Sequence, residues 1–502
     1  MTFFNDVPPL DWITGILLLV GLAILVTFAE VVYKKFILSK EDLRKGVHIL
    51  SGAVILITPF IFQTSTPLLI LSIVFAFINL IAVYTQKLNS YNSTERKSLG
   101  TFYYPAIVIV LTVLFWDNHK EIFMIAFALL AFADAAAGLV GKTAPDSSRI
   151  SLPWDSKSFR GSVTMFISSL VIVTIGLVAS RGVFNLHPIQ LFFAVLSTAA
   201  LATAGELLSY RGSDNLSIPI LAAISLYVFQ QPELQIQFIF GFVLALIVVF
   251  LAYYLKALDL SGALATFILG TVIFGYGGWL FTIPILMFFI VSSALSHLPN
   301  SNKAATSDAI ELGARRNVEQ VFANGFLPFV CVIASFFYES QMLFVLYLGA
   351  LSAATADTWA TEIGLLSRAQ PRSITTGKHV TPGMSGGITV LGSFGAVAGA
   401  TFVTLIGFVV SIYFRQTALT IDEVIIIIIA GVIAQFIDSL TGALWQRKNR
   451  CAVCNKITER SIHCEKKTEL FRGQEWLDNN VVNLICGFSG LFFINLFNLL
   501  FN

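Results

Sequence analysis

Asp134 and Asp357 occupy the same short setting, Asp-x-x-Ala-x-x-x-Gly, continued by Ala137 and Gly141 in the first case and by Ala360 and Gly364 in the second. They stand 357 − 134 = 223 residues apart, close to half of a 502-residue chain. Both lie in apolar helical stretches, where an aspartate costs roughly 2.5–3.5 kcal/mol at the bilayer centre. Other acids accompany them: Glu206 and Asp214 in the first half, Glu362 and Asp438 in the second. Each half also has a Gly-bearing loop that leads into a helix, Lys157-Ser158-Phe159-Arg160-Gly161-Ser162 and Pro382-Gly383-Met384-Ser385-Gly386-Gly387. Backbone N–H groups at a helix start, with bases nearby, grip an anion. A facing carboxylate can then share Mg²⁺ with bound phosphates. Acids, a phosphate grip and a metal are the parts needed for phosphoryl or nucleotidyl transfer.

The two halves differ in charge. In the first, Lys45 and His48 are three residues apart and share a helix face. His48 suits a base, a phosphate ligand or a satisfied helix-end histidine. Asp134 equally suits a carboxylate satisfied by a neighbouring helix. In the second half, the loop 366–386 carries Arg368, Arg372, Lys378 and His379 and no acid. That is the more cationic cradle, fit for an acceptor already bearing a phosphate, whereas an alcohol acceptor requires a base to take its proton. Arg316, Asp478 and Asn479 add to the second-half set, and Asp214-Asn215 has the same form as Asp478-Asn479. Gly138 through Thr143 ends like a Walker loop, but Ala136 stands where the first glycine is required and the segment ends a helix. Cys451, Cys454, His463 and Cys464 place four soft ligands within fourteen residues, suited to a structural Zn²⁺, with unliganded reduced cysteines as the alternative. Cys331 and Cys486 lie in apolar helices as packing residues.

The elements that must position these groups are membrane helices. The chain is 56% hydrophobic and 12% charged, against about 25% charge for soluble domains. The pattern predicts an all-α polytopic membrane protein of about sixteen spans, among them 259–275 and 279–298, and the first apolar run reads as a retained helix rather than a cleaved signal. Threading the spans alternately leaves all the Lys and Arg on one side except Lys120, Arg181 and Arg415, which makes that side cytoplasmic and places both termini outside. Further pairs recur in order: Gly46 with Gly262, Arg96 with Arg316, Gly161 with Gly387, and Glu206 with Asp438. Eight spans per half then make two parallel repeats. The expected domains are 1–232 and 233–502, the second carrying the Cys/His loop 446–480.

These residues resemble known families. The first half is similar to the CTP-dependent polyprenol kinases that include phytol kinase and dolichol kinase. The likeness rests on Arg44-Lys45-x-x-His48, Ala133 through Gly141, Lys157-Ser158 through Gly161-Ser162, Glu206, and Gly212 through Leu216 with Pro219. The second half resembles the membrane family of phytyl-phosphate kinase and animal transmembrane protein 19. There it rests on Asp259 through Gly262, Ala356 through Gly364, Gly383 through Gly387, Asp438-Ser439, and Trp476 through Asn480 with Asn483. The joint resemblance implies a bifunctional isoprenoid kinase. It would convert a prenyl alcohol to its monophosphate and then its diphosphate, with CTP as donor and Mg²⁺ as cofactor. Its expected partners are the isoprenoid alcohol and its monophosphate, a nucleoside triphosphate and membrane lipid, with no nucleic acid. The competing readings are an ion-coupled secondary transporter and a cytidylyltransferase acting on a lipid phosphate.

Overall fold

Apolar stretches in a bilayer must satisfy their own backbone hydrogen bonds, which favours helices, and the computed structural model is built of them. It describes residues 7–35, 40–85, 99–145, 148–297, 315–338, 340–414 and 418–501; Arg96 lies outside the described residues. Two compact units divide the chain, Met1–Ile239 and Phe240–Asn502. Eleven helices among the described residues are long and apolar enough to cross a membrane, and four more helices contribute shorter apolar stretches of 10–17 residues. The chain is therefore a multi-pass helical membrane protein.

The first unit holds α1 (Pro9–Lys35), α2 (Lys40–Ile61), α3 (Thr66–Thr85), α4 (Gly100–Phe115), α5 (Lys120–Lys142), α6 (Phe159–Ala179), α7 (Pro188–Leu207) and α8 (Asp214–Phe229). A hairpin of β1 (Arg149–Ser151) and β2 (Ser156–Ser158) precedes α6. Helix α9 (Pro232–Tyr254) carries the chain across the division. The second unit contains α10 (Leu260–Ser296), α11 (Val318–Phe337), α12 (Gln341–Gly364), α13 (Val390–Phe414), α14 (Ile421–Leu444) and α15 (Asn479–Phe501). Here β3 (Arg372–Ser373) pairs antiparallel with β4 (Gly387–Ile388). The stretch expected as two spans, 259–275 and 279–298, is one element with a break at Gly278, whose φ of 55° and ψ of −160° suit only glycine.

One helix in each unit is buried on nearly all sides, and it is the one bearing the aspartate motif. In α5, Ile122, Phe123, Phe127, Leu129, Leu130 and Ala133 are fully buried; in α12 the same holds for Phe344, Tyr347, Leu348, Leu351 and Ala356. Helix α5 opens into a π-turn over Leu129–Asp134, which ends on the motif's aspartate. The motif's alanine and glycine form a close crossing with the next helix. A Cβ on Gly161 of α6 would stand 3.0 Å from the Ala137 carbonyl oxygen and 3.3 Å from Gly141 Cα. A Cβ on Gly392 of α13 would stand 2.8 Å from the Ala360 carbonyl oxygen and 3.3 Å from Gly364 Cα. The start of each crossing helix is tied alike: Ser158 Oγ accepts from Gly161 N at 3.3 Å, and Thr389 Oγ1 accepts from Gly392 N at 2.9 Å. Deeper along, Gly176 abuts Ile125 and Gly407 abuts Leu348.

These contacts match Gly161 to Gly392, an offset of 392 − 161 = 231, rather than to Gly387. Gly387 belongs instead to the β3–β4 hairpin. The physical reason is that Gly161 serves a helix crossing, whereas the glycines of the longer second loop serve turns: Gly383 and Gly386 have φ of 81° and 82°.

Two further glycines of α13 extend its crossing, with Gly395 against the Trp359 carbonyl and Gly399 against that of Thr355. Small residues let membrane helices approach to backbone contact. Replacing Gly399 with Val drives a methyl group into the Thr355 carbonyl, and such overpacking costs about 1–3 kcal/mol. A lowered thermal unfolding midpoint of Gly399→Val in detergent is expected, with no change for Gly182→Ala, where nothing lies within 4 Å of the added carbon.

Candidate functional site

In the first unit, Lys157 at the end of the β1–β2 hairpin meets the acid on α7. Its Nζ lies 2.9 Å from Glu206 Oε1 and donates to Ser209 Oγ at 2.9 Å. The other carboxylate oxygen, Glu206 Oε2, is buried and has no hydrogen-bond partner. Burial works to lower the Lys157 ammonium, but the carboxylates of Glu206, Asp214 and Asp134 outweigh it and hold it above the ordinary lysine range. The charges of Asp214, Glu206, Lys157 and Lys45 all act on Asp134. The Lys45 ammonium lies where a Cβ on Gly138 would stand, so that glycine admits the lysine beside the motif helix. Lys45, Asp134, Lys157, Glu206 and Asp214 thus form one charged cluster.

The remaining first-unit candidates hold the frame. His48 Nε2 is 3.0 Å from the Leu130 carbonyl, inside the π-turn, and its ring lies tilted against Tyr104 with centroids 4.6 Å apart. Asn215 donates to the Gly100 carbonyl at 3.1 Å, joining the starts of α8 and α4. Ser158 caps α6, Gly161 makes the crossing, the Ser162 hydroxyl bonds back to the Ser158 carbonyl, and Arg160 is exposed on the first turn.

The second unit encloses a cavity of about 480 Å³ lined by Asp357, Glu362, Asp438, Arg316, Gly383, Ser385, Gly386, Gly387 and Asn479. Asp357 on α12 and Asp438 on α14 lie within interaction range of each other. Asp438 Oδ2 is buried without a hydrogen-bond partner. Two carboxylates turned together, one with an orphaned oxygen, fit a bound divalent cation, as Glu206 Oε2 does in the first unit. Glu362 accepts from Ser296 Oγ at 2.7 Å. Position 388, the counterpart of Lys157 at the same offset of 231, is Ile388, so no lysine answers Asp438 there.

Arg316 supplies cationic charge from another direction. The Asp259-Leu260-Ser261-Gly262 run explains its placement. Asp259 caps α10 by accepting from Gly262 N at 2.8 Å, and Gly262 lacks the Cβ that would collide with the Arg316 carbonyl. The Arg316 guanidinium lies over the rings of Phe288 and Phe289, 6.0 and 5.7 Å from their centroids. Among the described residues no carboxylate stands within salt-bridge distance of it. Burial lowers its pKa, and nearby Glu362 opposes that shift.

Other expected ligands in this unit have different positions. Asp478 Oδ1 accepts from the amides of Asn480 and Val481 and so caps α15. Lys378 is exposed on the hairpin loop and does not line the cavity. Ser385 gives both its amide and its hydroxyl to Glu459. Glu459 was not legible as a site residue, because it comes from the 446–480 insertion. Gln435 also lines the cavity, and its position three residues before Asp438 on one helix face was the available signal.

That insertion is a small sheet of β6 (Ile457–Thr458), β5 (Lys448–Arg450) and β9 (Glu469–Arg472), with a hairpin of β7 (Ile462–His463) and β8 (Lys466–Lys467). The ligand atoms of Cys451, Cys454, His463 and Cys464 lie within 4.8 Å of one another, so the cluster could hold a metal ion. Val453 N points at Cys451 Sγ at 3.4 Å. Backbone N–H donors at Cys454 and Val453 bring the Cys451 thiol down to about 6, favouring the thiolate that a metal requires. Besides Glu459, Lys448 fastens the insertion to the cavity, donating to the Ser385 carbonyl at 3.3 Å.

Comparison with known proteins gives a consistent set. A family model described as "Integral membrane protein DUF92" matches residues 243–491. Protein PGR of Arabidopsis thaliana is 31% identical over 270 residues, 50% of this chain and 92% of that protein. Phytol kinase of Synechocystis sp. is 31% identical over 218 residues, 42% of this chain and 90% of the kinase. The chloroplastic Protein VTE6 of Arabidopsis thaliana is 24% identical over 236 residues, 45% of this chain and 61% of that protein. No solved structure shows a significant match.

Two outcomes follow. Lys157→Met strands the buried Glu206 carboxylate and is expected to cost about 2–3 kcal/mol; the double variant Lys157→Met/Glu206→Leu should recover much of the lost thermal midpoint. Purified protein should carry tightly bound metal by elemental analysis. Cys454→Ser should lose that metal and become protease-sensitive within 446–480. Metal-free protein with the same protease resistance would mean that the four groups are unliganded.

Proposed function

Given that the chain belongs to the integral membrane protein DUF92 family, we propose that it is a bifunctional isoprenoid kinase. Residues 1–232 phosphorylate a prenyl alcohol, and residues 233–502 phosphorylate the resulting monophosphate. CTP is the donor and Mg²⁺ the cofactor. The name phytol kinase among the relatives supports an isoprenoid substrate. The repeated aspartate crossing supports an origin of the two halves by duplication. Because the cationic loops fall on one side of the threaded chain, both sites face the cytoplasm and the termini lie outside.

The observation that carries this reading is a pair of matching helix crossings with unmatched cations. Lys157 is tied to Glu206 in one, while Ile388 and an Arg316 with no carboxylate bridge among the described residues occupy the other unit. In the first unit, the alcohol oxygen attacks the γ-phosphorus, the nucleoside diphosphate leaves, and Asp214 of the carboxylate cluster takes the alcohol proton. Lys45 and Lys157 offset the charge of the donor phosphates. In the second unit, the acceptor oxygen belongs to a monophosphate and needs no strong base. Arg316 lowers the repulsion between the acceptor and donor phosphates.

Mg²⁺ would be held by Asp134 with Glu206 in one unit and by Asp357 with Asp438 in the other, where it would offset phosphate charge. The Cys451, Cys454, His463 and Cys464 cluster would hold a structural Zn²⁺ that fixes the insertion carrying Glu459.

Purified protein given phytol, geranylgeraniol or farnesol with each nucleotide and Mg²⁺, followed by mass spectrometry, tests the whole scheme. Asp134→Asn should block monophosphate formation. Asp357→Asn should let monophosphate accumulate while diphosphate falls at least about a hundredfold. Equal loss of both steps in either variant would reject two separate sites, and a cytidylyl adduct would reject the kinase chemistry.

A further inference from the structure

Beside the polar cavity of the second unit lies a smaller apolar one of about 80 Å³, between α9, α10 and α11. Val248, Leu269, Ile273, Leu286, Phe289 and Val321 are among its walls. Arg316, Gln320 and Asn324 line both cavities and so form their common boundary. At that boundary the guanidinium, without a carboxylate bridge among the described residues, rests on the Phe288 and Phe289 rings. A polar chamber with acids, a cation at its edge and an apolar slot beyond the cation together select an amphiphile with an anionic head.

We infer that the slot between α10 and α11 seats the first isoprene unit of an isoprenyl monophosphate whose phosphate sits on Arg316. The size supports a single short segment: 80 Å³ holds roughly six water-sized spheres, room for about one five-carbon unit. The rest of the tail lies along the lipid-facing helix surfaces. A two-chain phospholipid does not suit a slot this narrow. Two glycines set its width: a Cβ on Gly325 would press on Leu269, and one on Gly270 would reach Ala245. The branching methyl of the first unit, rather than overall chain length, is what this slot recognises. The inference rests on the monophosphate-kinase reading of this unit, but it concerns binding and can be tested apart from turnover.

The test uses full-length protein in nanodiscs and a geranylgeranyl monophosphate carrying a diazirine on its first isoprene unit. Cross-links are expected within 266–289 of α10 and 320–325 of α11. Prenyl monophosphate should suppress them, and an unbranched alkyl monophosphate should do so weakly. Val321→Phe fills the slot and should cut labelling at least about tenfold, the value of losing the burial of two or so methylenes, while nucleotide binding stays unchanged. Phe289→Ala enlarges the slot and should weaken the preference for the branched over the unbranched competitor, a readout that does not depend on Val321→Phe folding well. Labelling elsewhere, labelling undiminished in Val321→Phe, or equal suppression by a phosphatidic acid would overturn the assignment. If the cross-links map to the slot and no diphosphate forms, the kinase reading fails and the binding site stands. If diphosphate forms and the labels map elsewhere, the reverse holds.

Discussion

Each unit depends on backbone contact between its buried motif helix and the helix that follows. The alanine carbonyl and the glycine Cα of one helix leave no room for a side chain on the other, so Gly161 and Gly392 are fixed by geometry. That contact places the start of α6 or α13 beside the motif aspartate's helix. The acids on α7 and α14 are then brought toward the same end. An intramembrane carboxylate becomes tolerable there because charged neighbours or a cation can reach it.

The same crossing serves two electrostatic settings. In the first unit a lysine is built into the hairpin and is already committed to Glu206. In the second, the matching position is Ile388, the two aspartates turn toward each other, and Arg316 rests on aromatic rings. A scaffold can keep its packing and change its chemistry by exchanging one residue at a helix start, because packing there is decided by glycines and charge by their neighbours.

Much of this was legible in the sequence, and the losses have physical causes. The acids stood out because charges are scarce in apolar helices, and Asp134, Glu206 and Asp214 do share one cluster, as Asp357, Glu362 and Asp438 share one cavity. The break near Gly278 showed as a gap between two apolar runs. Glycines were harder to read, since a turn glycine such as Gly386 and a crossing glycine such as Gly392 look alike in a string of letters. Asp478 looked like a site acid because helix caps and phosphate sites favour the same helix starts. Glu459 had no signal at all: its partner Ser385 is 74 residues away, and only the folded insertion brings them together.

The composition of α12 has a consequence for how the chain is made. Its motif acids and small residues leave it the least apolar of the candidate spans, yet it is the helix the others surround. It emerges from the ribosome before α13 and α14, whose glycines are cut to fit it. A segment with Asp357 and Glu362 partitions poorly into lipid by itself. Its main packing partners α13, α14 and α15 all lie later in the chain, so its burial is complete only once they have followed. The order of helices along the chain is thus part of the solution to burying a charged site in a membrane.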